Sequence, residues 1–199
     1  MTDISLKRRI FLPLGFTAVM LFLLSVYSIY QLENRHWQEY TSHSGTMLEH
    51  NQMMLQHQMI ELMTSLSGNI AGNKQIIDAF KARNRDELLR LCTPLFKKMQ
   101  ASNGITHFYF HDAGITNVLR IHEPNRSGDL IKRQTAQQAM QTRALSYGLE
   151  LGPLGTFTLR LVRPVFEDGK LLGFVELGVE MSYLLAEIEH MMDWKLIML

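Results

Sequence analysis

The chain has 199 residues, enough for one domain and one additional element, and its 20 basic against 19 acidic side chains leave a net charge of +1. A charge so balanced offers no basic surface to nucleic acid. Cys92 stands alone, which excludes an intrachain disulfide and argues against a cysteine-built metal centre, and the 13 methionines read as core filler and helix-face residues.

Lys7-Arg8-Arg9 precedes Ile10 to Tyr30, 21 residues without a charge. As a helix rising about 1.5 Å per residue, this stretch spans roughly 31 Å, the hydrocarbon thickness of a bilayer. Pro13 falls in its first turn, where proline is tolerated. A cleaved signal peptide would have a shorter apolar region and small residues at its exit, whereas Val26, Tyr27, Ile29 and Tyr30 fill that position. The stretch 10–30 therefore reads as an uncleaved signal anchor. The basic cluster keeps 1–9 cytoplasmic and places residues 31–193 outside the membrane.

From 31 to about 66 the pattern is that of a long amphipathic helix with coiled-coil character. Leu48, Leu55 and Leu62 recur every seven residues beside Tyr40, Met47 and Met54. Such a seam predicts a parallel homodimer. His36, His43, His50 and His57 share the period, but successive members lie about 10.5 Å apart along the axis, too far to share one ion within a helix. A solvated flank is the plain reading; a pH-sensitive edge or a metal held across a dimer is the sharper one. Ser67-Gly68-Asn69 through Gly72-Asn73 is expected to break the helix. Asn73 can cap a short helix carrying Ile76, Ile77 and Phe80. Asn84 with Glu87 forms a capping box before Leu88, Leu91, Cys92, Leu95, Phe96 and Met99, and Pro94 should kink that helix.

Residues 105–181 alternate as strands do. His107 to His111 and Leu119 to His122 form a hairpin around Ala113-Gly114-Ile115-Thr116, which sets Tyr109 opposite Arg120 and His107 opposite His122. One face then carries Phe108, Phe110, Leu119 and Ile121; the other carries His107, Tyr109, Arg120 and His122. Asp129 is the expected cap of a helix reaching about Arg143. Strands follow at 145–151, 156–166 and 170–181, the last two joined by Asp168-Gly169, a strong hairpin signal. Their alternation sets Leu149, Leu151, Phe157, Leu159, Leu161, Val175, Leu177 and Val179 against Glu150, Thr158, Arg160 and Glu176. Five strands joined mostly by tight turns give an antiparallel sheet. Ser182 should cap a final amphipathic helix. Trp194 followed by Leu196-Ile197-Met198-Leu199 reads as the start of a second membrane span in 194–199, or as an interfacial tail.

The order of anchor, long helix, small helices and five-stranded sheet resembles the extracytoplasmic Cache sensor domains of bacterial chemoreceptors, sensor histidine kinases and diguanylate cyclases. The residues that carry the likeness are Leu119-Arg120-Ile121-His122-Glu123-Pro124 with Gly128-Asp129-Leu130, Gly148-Leu149-Glu150-Leu151-Gly152, Arg160, Pro164-Val165-Phe166 and Gly173-Phe174-Val175-Glu176-Leu177-Gly178. The likeness implies an α+β fold: a PAS-like five-stranded antiparallel sheet packed along the long helix, flanked by helices, with a small-molecule pocket on its other face. It also implies that the anchor sits in a bacterial inner membrane with the sensor in the periplasm, and a role in signal transduction, as in chemotaxis or two-component systems, through a downstream module that the chain itself does not identify.

Three functions compete on these residues. In a non-catalytic sensor, Arg120 and Arg160 offer planar forks to a carboxylate, His122 and Tyr109 supply directional hydrogen bonds, and Glu150, with Glu176, receives an ammonium group; the ligand is then a carboxylate or an amino acid. In a ligand-free anchor or assembly partner, Arg120 and Arg160 merely neutralise Glu150 and Glu176 across the sheet. A periplasmic hydrolase is the third, but the sequence contains no Gly-x-Ser-x-Gly elbow, His-Glu-x-x-His pair or phosphate loop. His107 and His111 stand about 13 Å apart along a strand, and His122 and Glu123 point to opposite faces, so neither pair makes a metal site or a dyad. No cofactor is expected. A reporter enzyme active only in the periplasm, fused after Met192, should be active in cells; a stable but inactive fusion would reverse the orientation.

Overall fold

The computed structural model describes residues 6–152 and 155–192, with side chains for 16, 19–31, 50–152 and 155–187. Two compact units divide the chain, Met1–Asn51 and Gln52–Leu199. Helix α1 (Leu6–Gly72) supplies the described part of the first unit and the opening of the second. In the first unit Phe16, Leu21, Phe22 and Leu23 are exposed. The expected anchor at 10–30 lies partly outside the described side chains. Among the described residues no helix is long and apolar enough to cross a membrane.

The second unit contains α2 (Lys74–Lys81), α3 (Arg85–Asn103), β1 (His107–Asp112), β2 (Asn117–Arg120), α4 (Gln134–Thr142), β3 (Ser146–Leu151), β4 (Phe157–Glu167), β5 (Lys170–Glu180) and α5 (Met181–Met192). The caps read from the sequence form as expected. Asn73 accepts from the Ile76 N–H, and Asn84 accepts from the Glu87 N–H, each satisfying an orphan donor of its helix. Helix α3 runs on through Pro94 as one element.

The strands form one antiparallel sheet in the order β2-β1-β5-β4-β3. Asp168 and Gly169, at φ of 48° and 75°, make the tight left-handed turn that joins β4 to β5. One face of the sheet is the core. Phe108, Phe110, Leu119, Ile121, Leu159, Leu161, Val175, Leu177 and Val179 pack there against Met59, Met63 and Ile70 of α1 and against Ile76, Phe80, Leu88, Cys92, Phe96 and Met99 of α2 and α3. Burying each large member contributes about 1.5–3 kcal/mol.

Four expectations need correction. The helix break predicted over Ser67 to Asn73 comes only at its last residue, Asn73, and Gly68 is helical. Gly68 costs about 1 kcal/mol in a helix. Packing of Met63 and Ile70 outweighs it, together with Arg163 of β4, which donates to Ser67 Oγ and to the Thr64 carbonyl, both at 2.9 Å. The leucine seam also turns inward at two positions: Leu55 and Leu62 pack half-buried against the core. Leu48 lies outside the described side chains. Leu149, Leu151 and Phe157 face the core side by register, yet they remain exposed because β3 is the outer strand of the sheet. Finally, Ser182 does not cap α5, because β5 passes into that helix at Met181 with no intervening loop. Residues 194–199 lie outside the described residues.

A candidate ligand-binding cleft

The second face of the sheet is half covered. Helix α4 packs Ala136 and Ala139 onto Val162 and Phe174, with Ile115 and Ile131 completing this smaller cluster. Beside it lies a cleft of about 1020 Å³ whose lining includes His107, Tyr109, Arg120, His122, Arg133 and Arg160. The pairing register brings these residues together. Tyr109 lies opposite Arg120 on one side and Glu176 on the other, as the hairpin reading requires for the first pair. A register shift between Phe110 and His111 then sets Asn117 against His111, so that Asn117 joins the polar face that His111 already shares with His107 and Tyr109. Strand β2 ends at Arg120, but His122 still reaches His107, with ring centroids 4.9 Å apart and edge-to-face.

Glu176 lies at the floor with its side chain fully buried. It accepts from Arg160 Nη1 at 2.7 Å, from Arg133 Nη2 at 2.7 Å to both oxygens, and pairs with His111 Nε2 at 2.8 Å. Burial alone would raise its carboxyl, but the neighbouring Arg133, His111 and Arg160 hold it well below the ordinary carboxylate range. Two glycines flank Arg160 in the sheet. Gly178 lies opposite it on β5 and Gly148 on β3; a Cβ on Gly148 would press on Thr135, and one on Gly178 on Thr158 and His107.

Glu150 has a different task. Its Oε1 accepts from the Thr135 N–H at 2.7 Å, so β3 satisfies an orphan donor at the start of α4. Its Oε2 has no hydrogen-bond partner and stands 3.8 Å from Arg133 Nε and 4.0 Å from Arg160 Nε. Arg133 itself occupies the N-cap of α4 and makes no side-chain cap bond there. The expected cap, Asp129, lies outside that helix because its carboxylate is engaged elsewhere. It receives Arg120 Nη1 at 2.8 Å and Nη2 at 2.7 Å. The protein anion facing Arg120 is therefore Asp129, and neither Glu150 nor Glu176, the partners that the ligand-free alternative gave it.

Three guanidinium carbons ring Tyr109, at 5.4 Å for Arg120, 5.1 Å for Arg133 and 5.9 Å for Arg160 from the ring centroid. The two cleft histidines are electrically quiet. Burial, reinforced by Arg160, pushes His107 down to about 3; burial, with Arg120 adding to it, pushes His122 down to about 4. His122 Nδ1 lies 3.2 Å from the Phe108 backbone nitrogen and 3.3 Å from the Phe108 carbonyl oxygen, so the backbone of β1 has a partner for either neutral tautomer of the ring.

Of the six residues expected to line a ligand site, Tyr109, Arg120, His122, Glu150 and Arg160 line the cleft, while Glu176 lies beneath it. Arg133, His111, Asn117 and Asp129 are not among the six: the sequence points to Asp129 as a helix cap and to His111 only as a rejected metal partner of His107. His111 was legible in principle, as a third alternate residue on the face of His107 and Tyr109. Arg133 lies in a loop, where no periodicity announces a direction. Among the described residues no group of three or more histidines, cysteines and carboxylates could hold a metal ion.

The family model for dCache_3, described as the double sensory domain of two-component sensor kinase, matches residues 39–199. No curated protein matches the sequence. The fold is similar to that of the Escherichia coli DcuS sensor domain, with a TM-score of 0.57 and 16% identity over 68% of this chain and 98% of that one. It is also similar to the ligand-binding domain of the Pseudomonas aeruginosa PAO1 amino-acid chemoreceptor PctC in complex with GABA, with a TM-score of 0.53 and 20% identity over 74% of this chain and 66% of that one. A domain of a sensory box/GGDEF family protein from Vibrio parahaemolyticus gives 0.53 and 16%, over 68% and 59%. The chain thus spans nearly all of the DcuS domain but about three fifths of the Vibrio one.

Glu176→Gln should cost about 3–5 kcal/mol in urea denaturation, because it leaves two buried guanidiniums that cannot shed their charge; a loss below 1 kcal/mol would mean the network is dispensable. His107 and His122 govern the pH dependence above the carboxylate range. Because their folded values lie below the ordinary 6.5, the unfolded chain binds protons that the folded chain refuses. Stability should be full above about pH 6.5 and fall on acidification by up to about 1.4 kcal/mol per pH unit for each histidine. The carboxylates add their loss only below about pH 4.5. A His107→Gln/His122→Gln protein should show a flatter denaturation profile between pH 6.5 and 4.5, and an unchanged slope would contradict the assignment.

Proposed function

Since the chain belongs to the dCache_3 family of double sensory domains of two-component sensor kinases, we propose that it is a non-catalytic extracytoplasmic sensor whose cleft binds a small polar metabolite bearing a carboxylate. The observation that carries this reading is the arrangement of Arg120, Arg133 and Arg160 around Tyr109 in an open cleft of about 1020 Å³. That volume lies at the upper end of the range for small-molecule sites. The fold neighbour with GABA bound supports the same chemistry by analogy, and the unpartnered Oε2 of Glu150, with Glu180 beside the cleft, suits an ammonium group. Arg120, Arg160, His122, Tyr109, Glu150 and Glu176 remain the ligand residues of this proposal, with Arg133 added; Glu176 acts by orienting Arg133 and Arg160.

The uncharged stretch 10–30 is the membrane anchor in this reading. Its helical backbone and the exposed Phe16, Leu21, Phe22 and Leu23 support that role, with the N-terminus cytoplasmic and the sensor periplasmic. The anchored chain pairs as a parallel homodimer along α1. Because Leu55 and Leu62 face the core, the contact falls to the exposed side that includes Met53 and Met54. Cysteine at Met54, in a Cys92→Ser background, should crosslink in membranes; crosslinking confined to other faces of α1 would overturn this register.

One observation favours a second reading, a ligand-free anchored assembly partner: all three guanidiniums around Tyr109 already have a protein carboxylate. Thermal unfolding of the full chain in detergent micelles, against a panel of amino acids, mono- and dicarboxylates, amines and polyols, separates the two. A ligand at 100 times its Kd stabilises the folded state by about 2.7 kcal/mol, a shift of several degrees. No shift across the panel would favour the assembly partner.

A further inference from the structure

We propose that Asp129 is an intramolecular competitor for the ligand, holding the fork of Arg120 until a free carboxylate displaces it. The inference rests on the reading of the cleft as a ligand site and makes Asp129 its specificity-determining residue. It begins from an asymmetry among the three guanidiniums. Arg133 and Arg160 are held by Glu176, whose side chain is 0% exposed and has nowhere to go. Arg120 is 4% exposed, whereas its partner Asp129 is 42% exposed. The cation lies beneath, and the anion lies on the open side, where water can receive it.

The geometry matches that role. Two parallel bonds, Nη1 to Oδ1 at 2.8 Å and Nη2 to Oδ2 at 2.7 Å, are the contacts a free carboxylate would make on the same fork. The arginine holds the Asp129 carboxyl below its ordinary value, as such a pair should.

Displacement also leaves the loop in place. The backbone of Asp129 is tied down independently of its side chain: the Asn117 N–H donates to the Asp129 carbonyl at 2.9 Å, and the Gly128 N–H donates to the Asn117 carbonyl at 2.8 Å. Thr116 and Leu130 form a bridge just beyond. Arg120 Nη1 keeps the Arg126 carbonyl at 2.9 Å and Asn117 Oδ1 at 3.3 Å when the carboxylate leaves. Rotation of one side chain is therefore sufficient. The apparent affinity of the cleft is its intrinsic affinity reduced by the fraction of molecules in which Asp129 has turned away. Groups that cannot occupy both prongs of the fork do not compete, which restricts the ligand class to bidentate oxyanions, carboxylates first among them as the group Asp129 itself presents.

Isothermal titration of the full chain in detergent micelles at fixed ionic strength tests this with acetate, 4-aminobutyrate and succinate, and with acetamide as the uncharged control. Asp129→Asn should tighten carboxylate binding by about 10-fold or more, Asp129→Glu should return it near the wild-type value, and acetamide should bind neither protein. If Asp129→Asn does not fold, wild-type crystals soaked in acetate decide the matter: acetate should occupy Arg120 Nη1 and Nη2, with the Asp129 carboxylate turned away. The proposal is overturned if Asp129→Asn binds carboxylates no more tightly than wild type, if no carboxylate binds either protein, or if soaked acetate leaves the Arg120–Asp129 pair intact. A non-carboxylate metabolite that stabilises the wild type, with carboxylates inert, would sink this inference and leave the sensor reading standing.

Discussion

The buried carboxylate of Glu176 is the constraint on which the polar face of the sheet depends. Removing a carboxylate from water costs several kcal/mol, and only close, hydrogen-bonded cations repay it. Three elements are drawn together to do so: β1 contributes His111, β4 contributes Arg160 and the residue at the head of α4 contributes Arg133. The last of these fixes where α4 begins, and Glu150 completes its first turn from the neighbouring strand. Such a network is weak evidence for stability, since an apolar core of similar volume would serve as well. Its effect is positional. It locks two guanidiniums against the ring of Tyr109 and leaves the cleft charged in detail but nearly neutral in sum.

Arg120 takes its carboxylate from outside that network, although it touches the same ring and reaches His111 through Asn117. Its anion comes from a loop rather than from a strand, and that loop is fastened to β2 by backbone bonds that do not involve the carboxylate. One face of the sheet therefore carries two kinds of arginine, one pair immobilised from below and one cation covered from above. The difference arises from burial of the partner and not from the arginines themselves.

The opposite face is ordinary by comparison, and it ties the sheet to the helices. Arg163 fastens α1 to β4 through Ser67 and the Thr64 carbonyl. Strand β5 carries Glu176 and continues into α5 with no loop between them. The floor of the cleft and the last helix thus share one uninterrupted backbone.

Local periodicity and capping chemistry were legible in the sequence because they depend on neighbours along the chain. The two faces of β1 and β2, the Tyr109–Arg120 pair, the Asn73 and Asn84 caps and the Asp168-Gly169 turn all follow from rules that span a few residues, and the resemblance carried by the Arg120 and Glu176 segments led to the sensor fold. Choices between distant partners belonged to the tertiary structure alone. Alternation shows that Arg120 faces the polar side, but it cannot show that a loop nine residues later returns with Asp129. Likewise Asp129 reads as a helix cap until a buried cation competes for it, and Gly68 reads as a break until Arg163 and the core hold the helix through it. A loop residue such as Arg133 has no period to betray its direction. In each case local preferences are worth about 1 kcal/mol, and an unpaired buried charge costs several times more, so the long-range pairing wins.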